Sequence, residues 1–231
     1  MIRNFFAQEG AKLKVMNFTE KRQYIWEYYK LHIFGTAFIL LLAGSLIHNW
    51  LNPPPNDYVY IAWMAEPMPT ANLNELEDRL SVIITEDPYR YAVTVRSYVL
   101  TGEPQMDQAL VTRFTALLSI GALHVIMSTE EGVQINAEAG IIGPVHEMLA
   151  KLRQAAPAIY NDIAHRLLTI TFTSFDDPPV TDTMAINLYG SSLLAELGFI
   201  TDDLFFTVVI NAERPYETAK ALELMLYERT G

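Results

Sequence analysis

The spacing of apolar positions divides the chain into one unbroken oily segment and a longer region where short apolar runs alternate with amphipathic ones. No charged side chain lies between Lys30 and Asp57. Residues 31–51 are about 21 positions, and at about 1.5 Å per residue a helix of that length reaches about 30 Å, the hydrocarbon thickness of a bilayer. A core helix this long would show a polar stripe. Here only Thr36, Ser45 and the terminal His32, His48 and Asn49 interrupt the run, and Gly35 and Gly44 are tolerable in lipid. Tyr24, Trp26, Tyr28, Tyr29 and Lys30 on one flank and Trp50 on the other have the character of interfacial anchors. The pattern predicts a transmembrane helix over 31–51.

Beyond it the period changes repeatedly between strand and helix. Residues 58–65 (YVYIAWMA) form an apolar, aromatic run of strand length. In 70–85, Leu73, Leu76, Leu80 and Ile83 recur at helical spacing, with Thr70 or Asn72 as N-cap and Glu75, Glu77 and Asp78 in the first turns. Residues 91–100 alternate as a second strand. Residues 106–120 place Leu110, Phe114, Leu117 and Leu118 on one helical face, stopped by Gly121. The same reasoning predicts strands over 123–127, 167–172, 184–188 and 204–210, and helices over 129–139, 145–153, 191–197 and 215–228, the last with Pro215 in its opening turn. Such alternation predicts an α/β fold class, with crossover helices packed on a mostly parallel or mixed sheet. The organisation expected is a cytoplasmic juxtamembrane segment 1–30, the span 31–51, a stiff proline spacer 52–57 (NPPPND) that holds the domain just off the membrane surface, and one α/β domain 58–231.

Charge sets the orientation. The net charge is −11, but residues 1–51 carry six Lys/Arg against three Glu, leaving the remaining region strongly acidic. All six of those cations precede the span, and the next is Arg79. The positive-inside rule then puts the N-terminus in the cytoplasm and 52–231 outside the cell membrane. A cleaved signal peptide is the alternative, with Leu42-Ala43-Gly44-Ser45 as its cleavage neighbourhood; the long pre-span region and the lack of an A-x-A pattern before the prolines favour retention. Met16 offers an alternative start, which would make 1–15 an extension. The acidic outer region repels phosphate backbones, so nucleic acid is not an expected partner. The sequence has no cysteine, which excludes disulfides, thiol catalysis and Cys-based metal sites.

Candidate chemistry is sparse. The five histidines never fall at i, i+3 or i+4 spacing, and neither a P-loop nor a dinucleotide glycine pattern occurs, so no cofactor is expected. His124 in ALHVIM reads as a strand residue satisfied by a neighbour, or alternatively as a ligand contact. His146-Glu147 reads as capping and surface charge. Ser191 and Ser192 in YGSSLL do not fit G-x-S-x-G and read as N-capping, although a helix start after a strand also presents N–H groups to anions. At the end of the first strand, Trp63, Met64 and Glu66 are candidates to line a cleft, with core packing as the default for Trp63; Tyr58 and Tyr60 are expected on one face and Trp63 on the other. Asp176, Asp177 and Asp182 supply hard oxygen ligands for Ca²⁺ or, alternatively, a solvated turn. The ligand-binding candidates are therefore Trp63, Glu66, His124, Ser191 and Ser192; no catalytic set stands out.

Two passages, RFTALLSIGALHVIMSTEEGVQINAEAGIIGPVHEML (113–149) and AINLYGSSLLAELGFITDDLFFTVVINAERPYETAKALELML (185–226), resemble solute-binding proteins of the periplasmic-binding-protein type 2 kind, with His124 standing where that pattern favours Asp. The stretch MNFTEKRQYIWEYYKLHIF resembles small single-span membrane proteins of Gram-positive bacteria that carry such a domain. The resemblance implies an extracytoplasmic, non-catalytic binding domain, either a tethered receptor that captures a small-molecule ligand for a membrane transporter or a domain that has lost its cleft and docks onto another membrane protein, with permanent anchoring and small size favouring the second. Residues 52–231 are fewer than two full lobes use, which implies a reduced version. A membrane-tethered hydrolase is the expectation from a different class.

Overall fold

The computed structural model describes residues 16–51, 56–85, 87, 90–155, 157–173, 178–210, 212 and 214–227. The chain forms two compact units that divide between Pro54 and Pro55. The expected N-terminal extension, the spacer prolines, Asp176, Asp177 and Glu228 lie outside the described residues.

The first unit is helix α1, Phe18–Leu51. Asn17 and Glu20 open it with a reciprocal capping box, Asn17 N–H donating to Glu20 Oε2 (2.9 Å) and Glu20 N–H to Asn17 Oδ1 (3.0 Å). It begins well before the predicted span because no Gly or Pro interrupts the aromatic, basic stretch up to Gly35. Within it Trp26–His48 has a mean hydropathy of 1.8, long and apolar enough to cross a membrane.

The second unit holds a seven-stranded mixed sheet of order β2-β1-β3-β7-β6-β5, with the short β4 paired to β7. Its strands are β1 Asn56–Trp63, β2 Tyr91–Ser97, β3 Val125–Ser128, β4 Ile142–Gly143, β5 Leu167–Phe172, β6 Val180–Asn187 and β7 Phe205–Val209. β1 runs parallel to β2 and β3, and every other pairing is antiparallel. The helices are α2 Thr70–Ile84, α3 Pro104–Ser119, α4 Glu130–Glu138, α5 His146–Ala155, α6 Pro157–Ile163, α7 Ser192–Glu196 and α8 Pro215–Tyr227, with a 3₁₀ turn at Ala164–Arg166.

Strand alternation sorts the core onto two faces. Val59, Ile61, Trp63, Val93, Val95 and Met127 share one cluster with Leu73, Leu76 and Leu80 of α2, Met148 and Leu152 of α5, and Leu222 and Met225 of α8. Tyr60, Ala62, Ile126, Ile170, Met184 and Phe205 form the other with Val133 and Ala137 of α4, and α3 lays Leu110, Phe114, Leu117 and Leu118 against it as the spacing predicts. None of the α3 residues is buried, so this helix is the loosest part of the second face. Asp107 pins its start, accepting from Thr101 N–H (2.7 Å) and Gly102 N–H (3.0 Å). The Thr101 bond holds the Asp107 carboxyl below its ordinary value, so this clamp is complete above the usual carboxylate range and loosens as pH falls below it.

Two details depart from the sequence expectation. A register shift between Asp57 and Val59 carries Tyr58 to the first face instead of leaving it beside Tyr60. There its hydroxyl donates to Glu217 Oε1 (3.0 Å), which raises its pKa together with burial, and the Arg214 guanidinium lies 4.1 Å from its ring centroid. At the start of α2 neither Thr70 nor Asn72 caps the helix: Pro69 occupies the cap position with no side-chain bond, and the Asn72 amide donates to Leu197 O (2.7 Å) instead.

The outer border of β2 is closed by α2. Ser81 Oγ accepts from Val93 N–H (2.8 Å), and Glu77 Oε2 accepts from Val95 N–H (2.9 Å) while pairing with Arg96. Ser81→Ala leaves the buried Val93 N–H unpaired and is expected to cost about 1–3 kcal/mol, read as a lower urea midpoint at unchanged slope.

Candidate functional site

β1, β2, β3 and β6 end, and β5 and β7 begin, along one edge of the sheet, as the registers Trp63↔Met127, Ser128↔Phe205, Asn187↔Phe205 and Leu167↔Ile186 require. β1 is followed by α2 on the first face and β2 by α3 on the second, with β2 and β3 on opposite sides of β1. That divergence makes the ends of β1 and β3 a topological switch point, the usual place for a ligand crevice in an open α/β sheet.

At the switch point itself the crevice is filled. Trp63 is buried, its indole N–H donates to Glu66 O (2.6 Å), and its ring meets Phe199 edge-on at 4.8 Å. Trp63 therefore braces the Met64–Glu66 turn from beneath, and Glu66 is half-buried with its carbonyl used in that brace. Beside it Met64, Tyr98, Leu100, Leu110, Val111 and Phe114 line an apolar hollow of about 120 Å³. Tyr98 and Tyr60 share a buried hydroxyl hydrogen bond (2.8 Å), and burial foremost pushes the Tyr98 pKa well above its ordinary value.

Farther along the same edge, past β7, a larger cleft of about 650 Å³ opens among His165, Arg166, Leu168, Asn187, Tyr189 and Asp202. The 3₁₀ turn before β5 delivers His165 and Arg166, the end of β6 delivers Asn187, and the turn before β7 delivers Asp202. Arg166 Nη1 donates to Tyr189 O (2.5 Å) and Asn187 Oδ1 accepts from Tyr189 N–H (2.6 Å), so two side chains of the cleft fix the loop that forms its rim. Arg166 Nε is buried and has no hydrogen-bond partner among the described residues. Near the guanidinium, Tyr227 donates to the Asp162 carboxylate; burial first and that bond second push its pKa up to about 12, against the opposing pull of Arg166. Tyr227 therefore stays a neutral donor across the physiological range.

The sequence candidates do not converge on one cavity. His124 is buried at the start of β3, away from the cleft edge: its Nδ1 accepts from Tyr60 N–H (3.1 Å) and its own N–H donates to Tyr60 O (3.0 Å), so it repairs the ladder where β1 and β3 begin to pair. Ser191 is buried as the N-cap of α7, accepting from Leu194 N–H (3.1 Å) and donating to the Met225 carbonyl of α8. Ser192 follows it on the exposed side. His146 opens α5 and meets Asp182 at 2.7 Å. Among the described residues no group of three or more His, Asp or Glu is placed to hold a metal ion. Arg166, Asn187, Tyr189 and Asp202 were not among the ligand-binding candidates read from the sequence. Their only local signal is polar residues abutting strand ends, and what unites them is the β7-β6-β5 order, which brings three separate termini together.

Set against family models, curated proteins and solved structures, the chain matches none of them. What stands on the structure alone is a mixed α/β domain with a seven-stranded sheet, preceded in the chain by one helix apolar enough to cross a membrane.

Proposed function

We propose that the chain is a single-span membrane protein, N-terminus in the cytoplasm, whose α/β domain acts outside the cell as a non-catalytic binding module of the solute-binding kind. Supporting the anchor are the apolar helix Trp26–His48, uncharged beyond Lys30, and the six cations found up to and including Lys30. The observation that carries the binding reading is the cleft of about 650 Å³ at the strand-end edge, lined by Arg166, His165, Asn187, Tyr189 and Asp202. Its chemistry suits a small polar solute bearing an anionic group, held by charge-assisted bonds from the guanidinium side. A single sheet supplies one wall of such a site. The opposite wall is then the contribution of a membrane partner, a transporter or another membrane protein, which takes over the ligand.

The test is a thermal-shift series on the full chain in detergent or nanodiscs against small carboxylates, phosphates, sugars, amino acids and polyamines. The expected result is a melting temperature that rises with ligand concentration as RT ln(1 + [L]/Kd) for an anionic solute, and a rise that Arg166→Gln abolishes. Silence across the panel removes the solute and leaves a domain that docks on its membrane partner. Turnover of ester or glycoside substrates replaces the reading with a tethered hydrolase.

A further inference from the structure

The two borders of the sheet are finished differently. On β2 the Val93 and Val95 N–H groups are taken by Ser81 and Glu77. On β5 the described residues offer no such closure. The Thr183 carbonyl accepts from Val145 N–H (3.1 Å), on the side of β6 away from β5, so the facing pair Thr169–Thr183 does not exchange backbone bonds. By the alternation of an antiparallel ladder, the N–H and C=O of Thr169 and Thr171 therefore point off the sheet. In agreement, Gln134 Nε2 reaches the Thr171 carbonyl from α4 at 3.3 Å, a long bond that leaves a lone pair open. Leu167–Phe172 contains no charge and no proline, the two devices that most often block a sheet border against pairing.

We propose that β5 is a dimerisation strand: two copies of the chain pair these borders antiparallel about a two-fold axis at Ile170, joining their sheets into one. A second copy is the occupant because the strand complements itself. With Ile170 opposite Ile170 of the second copy, Leu168 meets Phe172 on the face covered by α4, and Thr169 meets Thr171 on the other face. Each Thr169–Thr171 pair then exchanges the backbone bonds that a single copy leaves pointing outward. Threonine facing threonine is also how β5 already pairs with β6, where the Thr169–Thr183 and Thr171–Thr181 hydroxyls hydrogen-bond at 3.1 and 2.8 Å. An acidic domain repels its own copies over most of its surface, and β5 gives it an uncharged border on which to approach.

The absence of cysteine in the natural sequence makes the test direct. Residues facing each other in a non-hydrogen-bonded antiparallel pair stand about 4.5 Å apart at Cα, within disulfide reach. Full-length protein carrying Ile170→Cys is expected to form a disulfide dimer under mild oxidation, while Ile135→Cys, 57% exposed on α4, is not. Wild-type protein in detergent is expected to double its mass with concentration in sedimentation equilibrium. Thr169→Lys with Thr171→Lys, both at positions exposed in the single copy, is expected to stay monomeric with the circular dichroism of the wild type. Wild-type protein that stays monomeric at every concentration overturns the proposal, as does a lysine variant that dimerises like wild type. Ile170→Cys that cross-links no better than Ile135→Cys in folded protein overturns it equally.

Discussion

Trp63→Ala is expected to destabilise the α/β domain by about 3–5 kcal/mol, the range for emptying a large aromatic site from a packed core. Three losses coincide at this residue. Its side chain has no exposure and sits in the cluster between the sheet and α2. Its ring forfeits the edge-on contact with Phe199 at 4.8 Å, which couples β1 to the segment after α7. Its indole N–H holds Glu66 O at 2.6 Å, so the turn leaving the central strand loses its brace. For a domain of this size each kcal/mol moves the melting temperature by about 2–4 °C, and a fall of roughly 10 °C is expected by calorimetry. Trp63→Phe keeps most of the volume and leaves only the Glu66 carbonyl without its donor, so about 1–2 kcal/mol is expected. Equal melting of Trp63→Ala and wild type would mean that this region is not packed as described.

A second variant pair probes α1. Leu40→Arg with Leu41→Arg puts two guanidinium groups in the uncharged middle of α1. Each costs about 2.5–3.5 kcal/mol at the centre of a spanning helix, enough together to reverse a favourable insertion. Carbonate extraction is expected to find wild-type protein in the membrane pellet and the double variant in the supernatant. The same pair at Gln23 and Glu27, in the flank that precedes the uncharged stretch, is expected to leave the protein in the pellet. A double Leu variant that remains carbonate-resistant contradicts the membrane reading of α1.

How far the fold was legible depended on how local each signal was. The LLTITF run gave β5 its true bounds, and Pro215 its place in the first turn of α8, because both follow from the chain's own chemistry. β4 is only two residues long and exists through its pairing with β7, so it leaves no periodic trace. α6 and the 3₁₀ turn escaped for a related reason: they are short and held by α5 and one another. Tyr58 was misplaced because a bulge shifts the alternation by one residue without any Gly or Pro to announce it. The antiparallel half of the sheet was unreadable as such, since β7 returns to lie between β3 and β6.

The candidate site was harder still. His124 and Ser191 carry the right atoms for ligand contact, and the fold spends those atoms on the Tyr60 backbone and on α7 and α8. The residues that do line the larger cleft come from three strand termini that only the sheet order makes neighbours. Ser191 shows that a capping signature can be read from sequence with its partner, since the bond to Leu194 N–H is three residues away. Its bond to Met225, 34 residues on, cannot.

The proposed topology puts the α/β domain outside the cell on the end of one retained span, and the cysteine-free sequence permits a direct measurement of it. Single cysteines at the exposed positions Gln23 and Glu131 are treated with a membrane-impermeant maleimide on intact cells and again after permeabilisation. This topology predicts that Glu131→Cys is labelled in intact cells and Gln23→Cys only once the membrane is opened. Labelling of Gln23→Cys alone in intact cells, or of neither until permeabilisation, would contradict it.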